Sequence, residues 1–235
     1  MAIPRNASQD SNTKPLVSIV IPVLNESVLI TKHLSFFSKL HSSVNEVIFV
    51  DGGSTDDTVA QLSAAGYCVV SSLLGRANQM NAGAAHARAD SILFLHADIE
   101  APNNFKELLS IIPRYSWGFF KVRLRHPHWV YRLVSSGINM RARLFQVATG
   151  DQGIFVKKAL FNQLGGFPSI ELMEDVALSR MLKKHVAPKE INEYLHVSAR
   201  RWELRGVMRT VFLMWGIQLA YMLGVSPKRL ANWYR

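Results

Sequence analysis

A single cysteine, Cys68, stands among 235 residues, so no disulfide can form within the chain. It lies in the apolar run Tyr67-Cys68-Val69-Val70, where a buried, inert thiol is expected. With 49% hydrophobic residues the chain needs neither disulfides nor a structural metal to close a core. Its length suits one large α/β domain and is short for two. The first fourteen residues lack any apolar stretch and carry Asn6, Ser8, Asp10, Ser11, Asn12 and Thr13. They read as a disordered tail over 1–14, neither signal nor anchor, and the cytoplasm is the expected location. Internal repeats and low-complexity segments are absent. Acidic residues are scarce: 17 Asp and Glu stand against 27 Lys and Arg, a formal charge of +10. Such an excess suits a nucleoside diphosphate, a phospholipid surface or nucleic acid. It is concentrated between 114 and 143, where Arg114, Lys121, Arg123, Arg125, Arg132, Arg141 and Arg143 meet no acidic residue, and again from Arg200 to Arg209. No nucleic-acid-binding module is recognisable, so nucleic acid is not an expected partner. Gly-x-Gly-x-x-Gly is also missing after the first apolar run, where Pro22-Val23-Leu24-Asn25 stands instead, which argues against a dinucleotide-dependent oxidoreductase.

What is present is an alternation. Leu16 to Leu24 is a β-branched apolar run that reads as a buried parallel strand. Ile30, Leu34, Phe37 and Leu40 follow at helical spacing within 27–40. Glu46 to Val50 predicts a second strand, Asp56-Asp57 the acidic start of a helix, Tyr67 to Ser71 a third strand, Gly75 to Ala89 a helix and Ser91 to Leu95 a fourth strand. Such a series predicts a parallel sheet with right-handed crossovers. Each polar cluster falls at the C-terminal end of a strand, where open α/β sheets bind ligands, so the clusters should converge on one crevice. Farther on, Trp117 to Leu124 alternates as a strand, 128–145 is helical, Val147 to Val156 is extended around Gly150-Asp151-Gln152-Gly153, and Glu174 to Lys184 is a helix.

Three of these clusters could carry chemistry. Asp51 at a strand end could accept hydrogen bonds from a base or ribose, with Gly52 and Gly53 allowing close backbone approach; an ordinary helix-capping turn is the plainer alternative. His96-Ala97-Asp98 sets two potential metal ligands on one side of a strand end, with donors suited to Mn²⁺ or Mg²⁺; a capping Asp beside an unrelated His would look the same. Glu174-Asp175 could supply a general base or merely complement a helix dipole.

Taken in order, the motifs resemble those of family-2 glycosyltransferases of GT-A fold. Val17 to Glu26 is similar to the family's opening strand, and Val50 to Thr58 to its Asp-Gly-Ser-x-Asp-x-Thr signature. Gly75-Arg76-Ala77-x-Gln79-x-Asn81-Ala82-Gly83 resembles the segment before the metal strand. His96-Ala97-Asp98 stands in place of Asp-x-Asp, Glu174-Asp175 matches the later Glu-Asp pair, and Arg200-Arg201-Trp202 is similar to an Arg-Trp element. The wording of several motifs also resembles a small bacterial subgroup labelled selenodomain- or arsenosugar-associated transferases. The resemblance implies an α/β GT-A domain over 15–202 with a mostly parallel, Rossmann-like sheet flanked by helices. It implies an inverting transfer of sugar from a nucleoside-diphosphate donor, expected to be uridine-linked, to an acceptor hydroxyl. Pro22, Asn25, Glu26, Asp51, Gly53, Arg76, Gln79, Asn81 and Ala97 would line the donor site, and Asp98 and His96 would hold Mn²⁺ or Mg²⁺. Asp175 would be the base, with Glu174 beside it. Asp151, Gln152, Arg201 and Trp202 would touch the sugar or acceptor. Because His96 replaces the usual carboxylate, an inactive nucleotide-sugar-binding module is the alternative.

A helical segment over 203–235 completes the chain. Val207 to Val225 is apolar over 19 residues but interrupted by Arg209 and Gln218, with Gly206, Gly216 and Gly224 weakening the helix and Lys228 and Arg229 following it. A helix docked on the domain, an in-plane membrane helix and a true span all fit this pattern. Lipid-linked acceptors used by many relatives make contact with the inner face of the membrane an expectation. Donor sugar, acceptor and oligomeric state stay open.

Overall fold

The computed structural model describes residues 14–41 and 46–234. Apart from Lys14, which pairs with Asp90 at 2.7 Å, the expected tail over 1–14 lies outside the described residues.

The alternating first half folds as the hydrophobic pattern requires. β1 (Ser18–Val23), β2 (Glu46–Asp51), β3 (Cys68–Ser71) and β4 (Ser91–Phe94) are connected by α1 (Ser27–His41), α2 (Thr58–Ala64) and α3 (Arg76–His86). β1 and β4 are buried along nearly their whole length because helices cover both faces, which is why they read as unbroken apolar runs. The chain then continues through β5 (Ile99–Glu100), α4 (Phe105–Ile111), β6 (Trp117–Arg125), α5 (Trp129–Phe145) and a 3-10 turn at Gly150–Gln152. After these come β7 (Ile154–Lys157), α6 (Lys158–Gln163), α7 (Glu174–Lys183), β8 (Lys189–Ser198), α8 (Arg200–Arg205), α9 (Val207–Met222) and α10 (Pro227–Tyr234).

The eight strands form one sheet in the order β3-β2-β1-β4-β7-β6-β8-β5. β3, β2, β1 and β4 are mutually parallel, β7 runs antiparallel to both β4 and β6, β8 is parallel to β6, and β5 antiparallel to β8. The second half therefore mixes directions that a βαβ pattern does not foretell. One core holds Phe37, Phe49, Phe120 and Phe155; a second lies on the opposite side of the sheet around Phe94, Phe161 and Phe167. Each such aromatic contributes about 1.5–3 kcal/mol through burial.

Two consequences of this topology place the site. The chain leaves β1 toward β2 and β3, then returns to β4 on the other flank, so the switch point lies between β1 and β4. Pro22 stands where β1 has parted from β4, whose pairing covers only Ser18 to Val20, so its missing N–H costs no ladder bond on that side. And because β7 is antiparallel, with Ile154 opposite Phe94, the turn that precedes β7 arrives at the same edge as the C-terminal end of β4.

Three expectations are corrected. Cys68 is exposed, because β3 is an edge strand and its apolar residues are only partly covered. The helical segment expected from 203 onward is broken near its start: Gly206 adopts φ 80°, ψ 138°, a conformation open only to glycine, and separates α8 from α9. Finally, α9 has 16 residues, about 24 Å of helix, against a hydrocarbon core of about 30 Å. Among the described residues no helix is long and apolar enough to cross a membrane. α9 instead docks through Leu213, Ile217, Ala220 and Tyr221 on Met173, Val176, Val147 and Leu230.

Candidate active site

The loops after β1 and β2 are laced to each other. The Asn25 backbone N–H donates to Ser54 Oγ at 2.9 Å, and Asn25 Oδ1 accepts from Thr55 N at 2.8 Å. Glu26 N donates to Thr58 Oγ1 and Ser27 N to Asp56 Oδ2. Asn25 reaches this arrangement with φ 53°, which asparagine tolerates better than most residues. The buried Asp51 carboxylate accepts from the N–H groups of Gly53 and Ser54 at 3.0 and 3.1 Å, folding the Gly52-Gly53 turn over the strand end. Gln79 reaches up from α3 and donates both amide hydrogens to the strand-end carbonyls of Val23 and Val50, each at 2.8 Å. Gln79 is thus buried beneath the crevice floor, where it holds β1 and β2 in step. Asn81 makes a reciprocal pair with the backbone of Phe167, fixing the Gly165-Gly166 turn.

The expectation that His96 and Asp98 share one side of a strand end needs correction. β4 stops at Phe94, and Ile99 N donates to His96 O at 3.2 Å, so 96–98 form a turn around buried Ala97. His96 leans toward Gly150: a Cβ built on Gly150 would lie 2.3 Å from His96 Nε2, so only glycine fits there. Burial and the Arg76 guanidinium hold His96 below the usual imidazole range, against the pull of Asp151, Asp98 and Asp175. Its ring is neutral at neutral pH and has a lone pair to offer. Asp98 faces Glu26 as well; burial, then the carboxylates of Asp98 and Asp56, push Glu26 upward, and Arg200 opposes them.

α7 brings the third cluster. It starts at Met173, a buried residue held at φ 71°, an uncommon conformation for a side-chain-bearing residue and one associated with functional sites. Asp175 Oδ2 accepts from Gly150 N at 2.6 Å and its Oδ1 from Val176 N at 2.6 Å, so both oxygens have fixed orientation. Glu174 is buried, and desolvation followed by the Asp175 charge raises it to about 7, with Arg76 at 4.0 Å opposing. Met80, Phe94, Ile154 and Phe167 wall the concavity where His96, Gly150, Glu174 and Asp175 meet.

The remaining expected residues separate by burial. Asp151 is exposed at the mouth, whereas Gln152 is wholly buried, accepting from Thr149 N at 3.1 Å, so it shapes the turn rather than facing the cleft. Trp202 packs against the larger core. The side chain of Arg201 lies outside the described residues, and its neighbour Arg200 is the one whose charge acts on Glu26. Arg141 was visible only as one basic residue among many; its buried guanidinium near Asp175 and Asp151 emerges from the fold.

No group of three His, Cys, Asp or Glu residues among the described residues could hold a metal unaided. Asp98 with neutral His96 still fits a Mn²⁺ or Mg²⁺ site of the kind completed by water and phosphate oxygens.

Crevice and sheet together define an α/β protein of GT-A architecture. Residues 18–134 match the model of Glycosyl transferase family 2, and the chain belongs to that family. It is similar to an undecaprenyl-phosphate 4-deoxy-4-formamido-L-arabinose transferase of Enterobacter sp. (strain 638), 31% identical over 149 residues, covering 57% of this chain and 44% of that protein. The chain thus spans less than half the length of this relative. Among solved structures, S. aureus TarS 1-349 in complex with UDP-GlcNAc superposes with a TM-score of 0.61 at 17% identity, over 77% of this chain and 58% of that one. The mannosyltransferase PcManGT from Pyrobaculum calidifontis, in complex with GDP-Man and Mn²⁺, gives 0.59 at 18% identity over 99% and 72%. At these identities the likeness to solved structures establishes the fold.

Proposed function

We propose that the protein is an inverting glycosyltransferase that moves a sugar from a nucleoside-diphosphate donor, uridine-linked, to an acceptor oxygen. One observation carries the reading: Asp175, held by two backbone N–H groups, meets His96 and the Arg76–Glu174 pair at the C-terminal edge of the sheet, beside the switch point. Asp51, Gly53 and the Asn25–Glu26 loop receive the nucleoside, over a floor braced by Gln79, with Pro22, Asn81 and Ala97 supporting that wall. Arg76, 44% exposed at the start of α3, meets the diphosphate. Asp98, with His96, would hold Mn²⁺ or Mg²⁺, which would supply positive charge against the departing diphosphate. Asp175 takes the proton of the acceptor hydroxyl as its oxygen bonds to the anomeric carbon and the bond to the diphosphate breaks. Glu174, carrying a proton part of the time near neutral pH, limits the negative charge crowded against the diphosphate. Asp151 orients the sugar or acceptor from the mouth.

The acceptor is lipid-linked in this reading, which the similarity to undecaprenyl-phosphate transferases supports. The exposed side chains Met208, Phe212, Trp215, Leu219 and Met222 recur at helical spacing along one face of α9, and Trp129, Leu133, Met140 and Leu144 along one face of α5. Apolar stripes of this kind next to Arg209, Lys228 and Arg229 suit the headgroup region of an anionic membrane, where the protein attaches in plane at the cytoplasmic face.

Thermal stabilisation by a panel of nucleoside diphosphates and their sugars with Mn²⁺ or Mg²⁺ tests the donor site. Stabilisation by a uridine-linked sugar that needs the metal, with sugar release over time, is the expected result. Binding without any turnover would make the chain a nucleotide-sugar-binding module instead, and no binding would end the reading.

A further inference from the structure

Arg141 projects from α5, and its Nε and Nη2 are buried without a hydrogen-bond partner among the described residues. Buried guanidinium groups are normally satisfied by carboxylates, carbonyls or water, because the charge has lost its hydration. Among the described residues Arg141 has no carboxylate within ion-pair distance, whereas Arg143, two residues on, reaches Glu190 at 3.8 Å. The charges that act on Arg141 are those of Asp175 and Asp151, so its guanidinium lies in the neighbourhood of the candidate base.

A second arginine serves the opposite side. Arg76 acts on His96 and sits 4.0 Å from Glu174, on the edge formed by the parallel strands. Arg141 is not among the charges acting on His96, Glu174 or Glu26. Arg76 from α3 and Arg141 from α5 thus approach the Glu174–Asp175 pair from different elements. A planar fork with free N–H groups suits tetrahedral phosphate oxygens. The residue before it, Met140, is 62% exposed, and Trp129, Leu133 and Leu144 continue that apolar stripe along the same helix. The surroundings suit an anionic head attached to an apolar body.

We infer that Arg141 is the anchor of an acceptor subsite that takes a phosphate monoester, with the phosphate on its guanidinium and the attached group running along α5. The inference rests on the glycosyl-transfer reading for what the subsite is used for, and on Arg141 alone for its chemistry. An isoprenoid lipid phosphate and a soluble phosphate ester share that chemistry.

Calorimetric titration of the full chain, with UDP and Mn²⁺ present, separates these sources. The probes are a short-chain isoprenyl monophosphate, the matching isoprenol, glycerol 3-phosphate and inorganic phosphate. The wild type should bind the isoprenyl monophosphate and not the isoprenol. Equal affinity for glycerol 3-phosphate would assign a soluble ester, and at least tenfold tighter binding of the isoprenyl phosphate a lipid. Arg141→Met should weaken phosphate binding at least tenfold and Arg141→Lys by less, with UDP affinity kept within twofold in both. Because Nε and Nη2 have no hydrogen-bond partner among the described residues, the unliganded Met variant should melt no lower than wild type. Unchanged phosphate affinity in Arg141→Met overturns the inference, as do absence of phosphate binding by the wild type, a parallel loss of UDP affinity, and a melting temperature lowered by several degrees. Failure of the wild type to bind UDP would instead overturn the donor reading, while the phosphate titrations without UDP still report on Arg141.

Discussion

The backbone N–H of Gly150 donates to Asp175 Oδ2 at 2.6 Å while the position its Cβ would occupy lies 2.3 Å from His96 Nε2. One residue thus fastens the candidate base and sets the position of the candidate metal-site imidazole. A methyl group there must push the ring away or drag the turn off Asp175. Gly150→Ala should lower kcat/KM by about 10–100-fold, the usual result of a misplacement near 1 Å. A double-mutant cycle with His96→Ala checks the route. If Gly150→Ala works through the ring, its effect should shrink markedly once the ring is gone; full additivity would show that the turn alone matters.

Asp175→Asn retains one acceptor oxygen and turns an NH₂ toward the other backbone N–H. Turnover should fall by about 10²–10⁴-fold, the range for loss of a positioned general base. UDP affinity measured with Mn²⁺ should stay within about threefold, since none of the nucleotide-facing loops depends on Asp175. Near wild-type turnover would remove Asp175 from the role of base.

The legibility of the molecule follows from where its determinants lie. Each of the first four strands is a local apolar run, and its polar end is adjacent in sequence, so Asn25, Asp51 and His96 could be placed at one sheet edge without coordinates. β8 could not: Lys189 to Ser198 carries Glu190, Asn192, Glu193 and His196 and is only partly buried, so its pattern is weak, and pairing with β6 specifies it. Gly150 and Arg141 escaped for a related reason. Gly150 matters through its close approach to His96, 54 positions away, which closes only when β7 runs antiparallel to β4, and Arg141 through the charge of Asp175, 34 positions away. Gln79 and Gln152 show the converse. The resemblance implied a ligand-facing role for both, yet burial turns each inward, where it braces the site.

Glu174 gives the site a pH signature in stability. Its carboxyl has an ordinary value of 4.5 and is raised to about 7 by burial, so between these values the folded chain holds a proton that the unfolded chain has released. Stability contributed by that proton is complete below 4.5 and is lost as pH rises through 7. The full difference amounts to about 3 kcal/mol. Glu174→Gln should therefore leave stability near pH 5 almost unchanged and raise it by about 2–3 kcal/mol at pH 8. Denaturant titrations at the two pH values check this; an equal effect at both would mean that Glu174 is charged throughout.

The α9 stripe separates a membrane face from an ordinary exposed helix through the combination of mutation and salt. Trp215 and Leu219 are 66% and 59% exposed, so replacing both with serine should cost the fold little. Inserting such side chains below the headgroups contributes up to about 1.5–3 kcal/mol each. Trp215→Ser with Leu219→Ser should thus weaken sedimentation with anionic vesicles by about tenfold or more. Arg209, Lys228 and Arg229 add about 1 kcal/mol each near a negative surface, a contribution screened by salt. Raising salt should therefore loosen wild type and double variant by a similar factor, because the two contributions are independent. Loss of vesicle binding in high salt with no effect of the serines would make the contact purely electrostatic and leave the stripe without a role at the membrane.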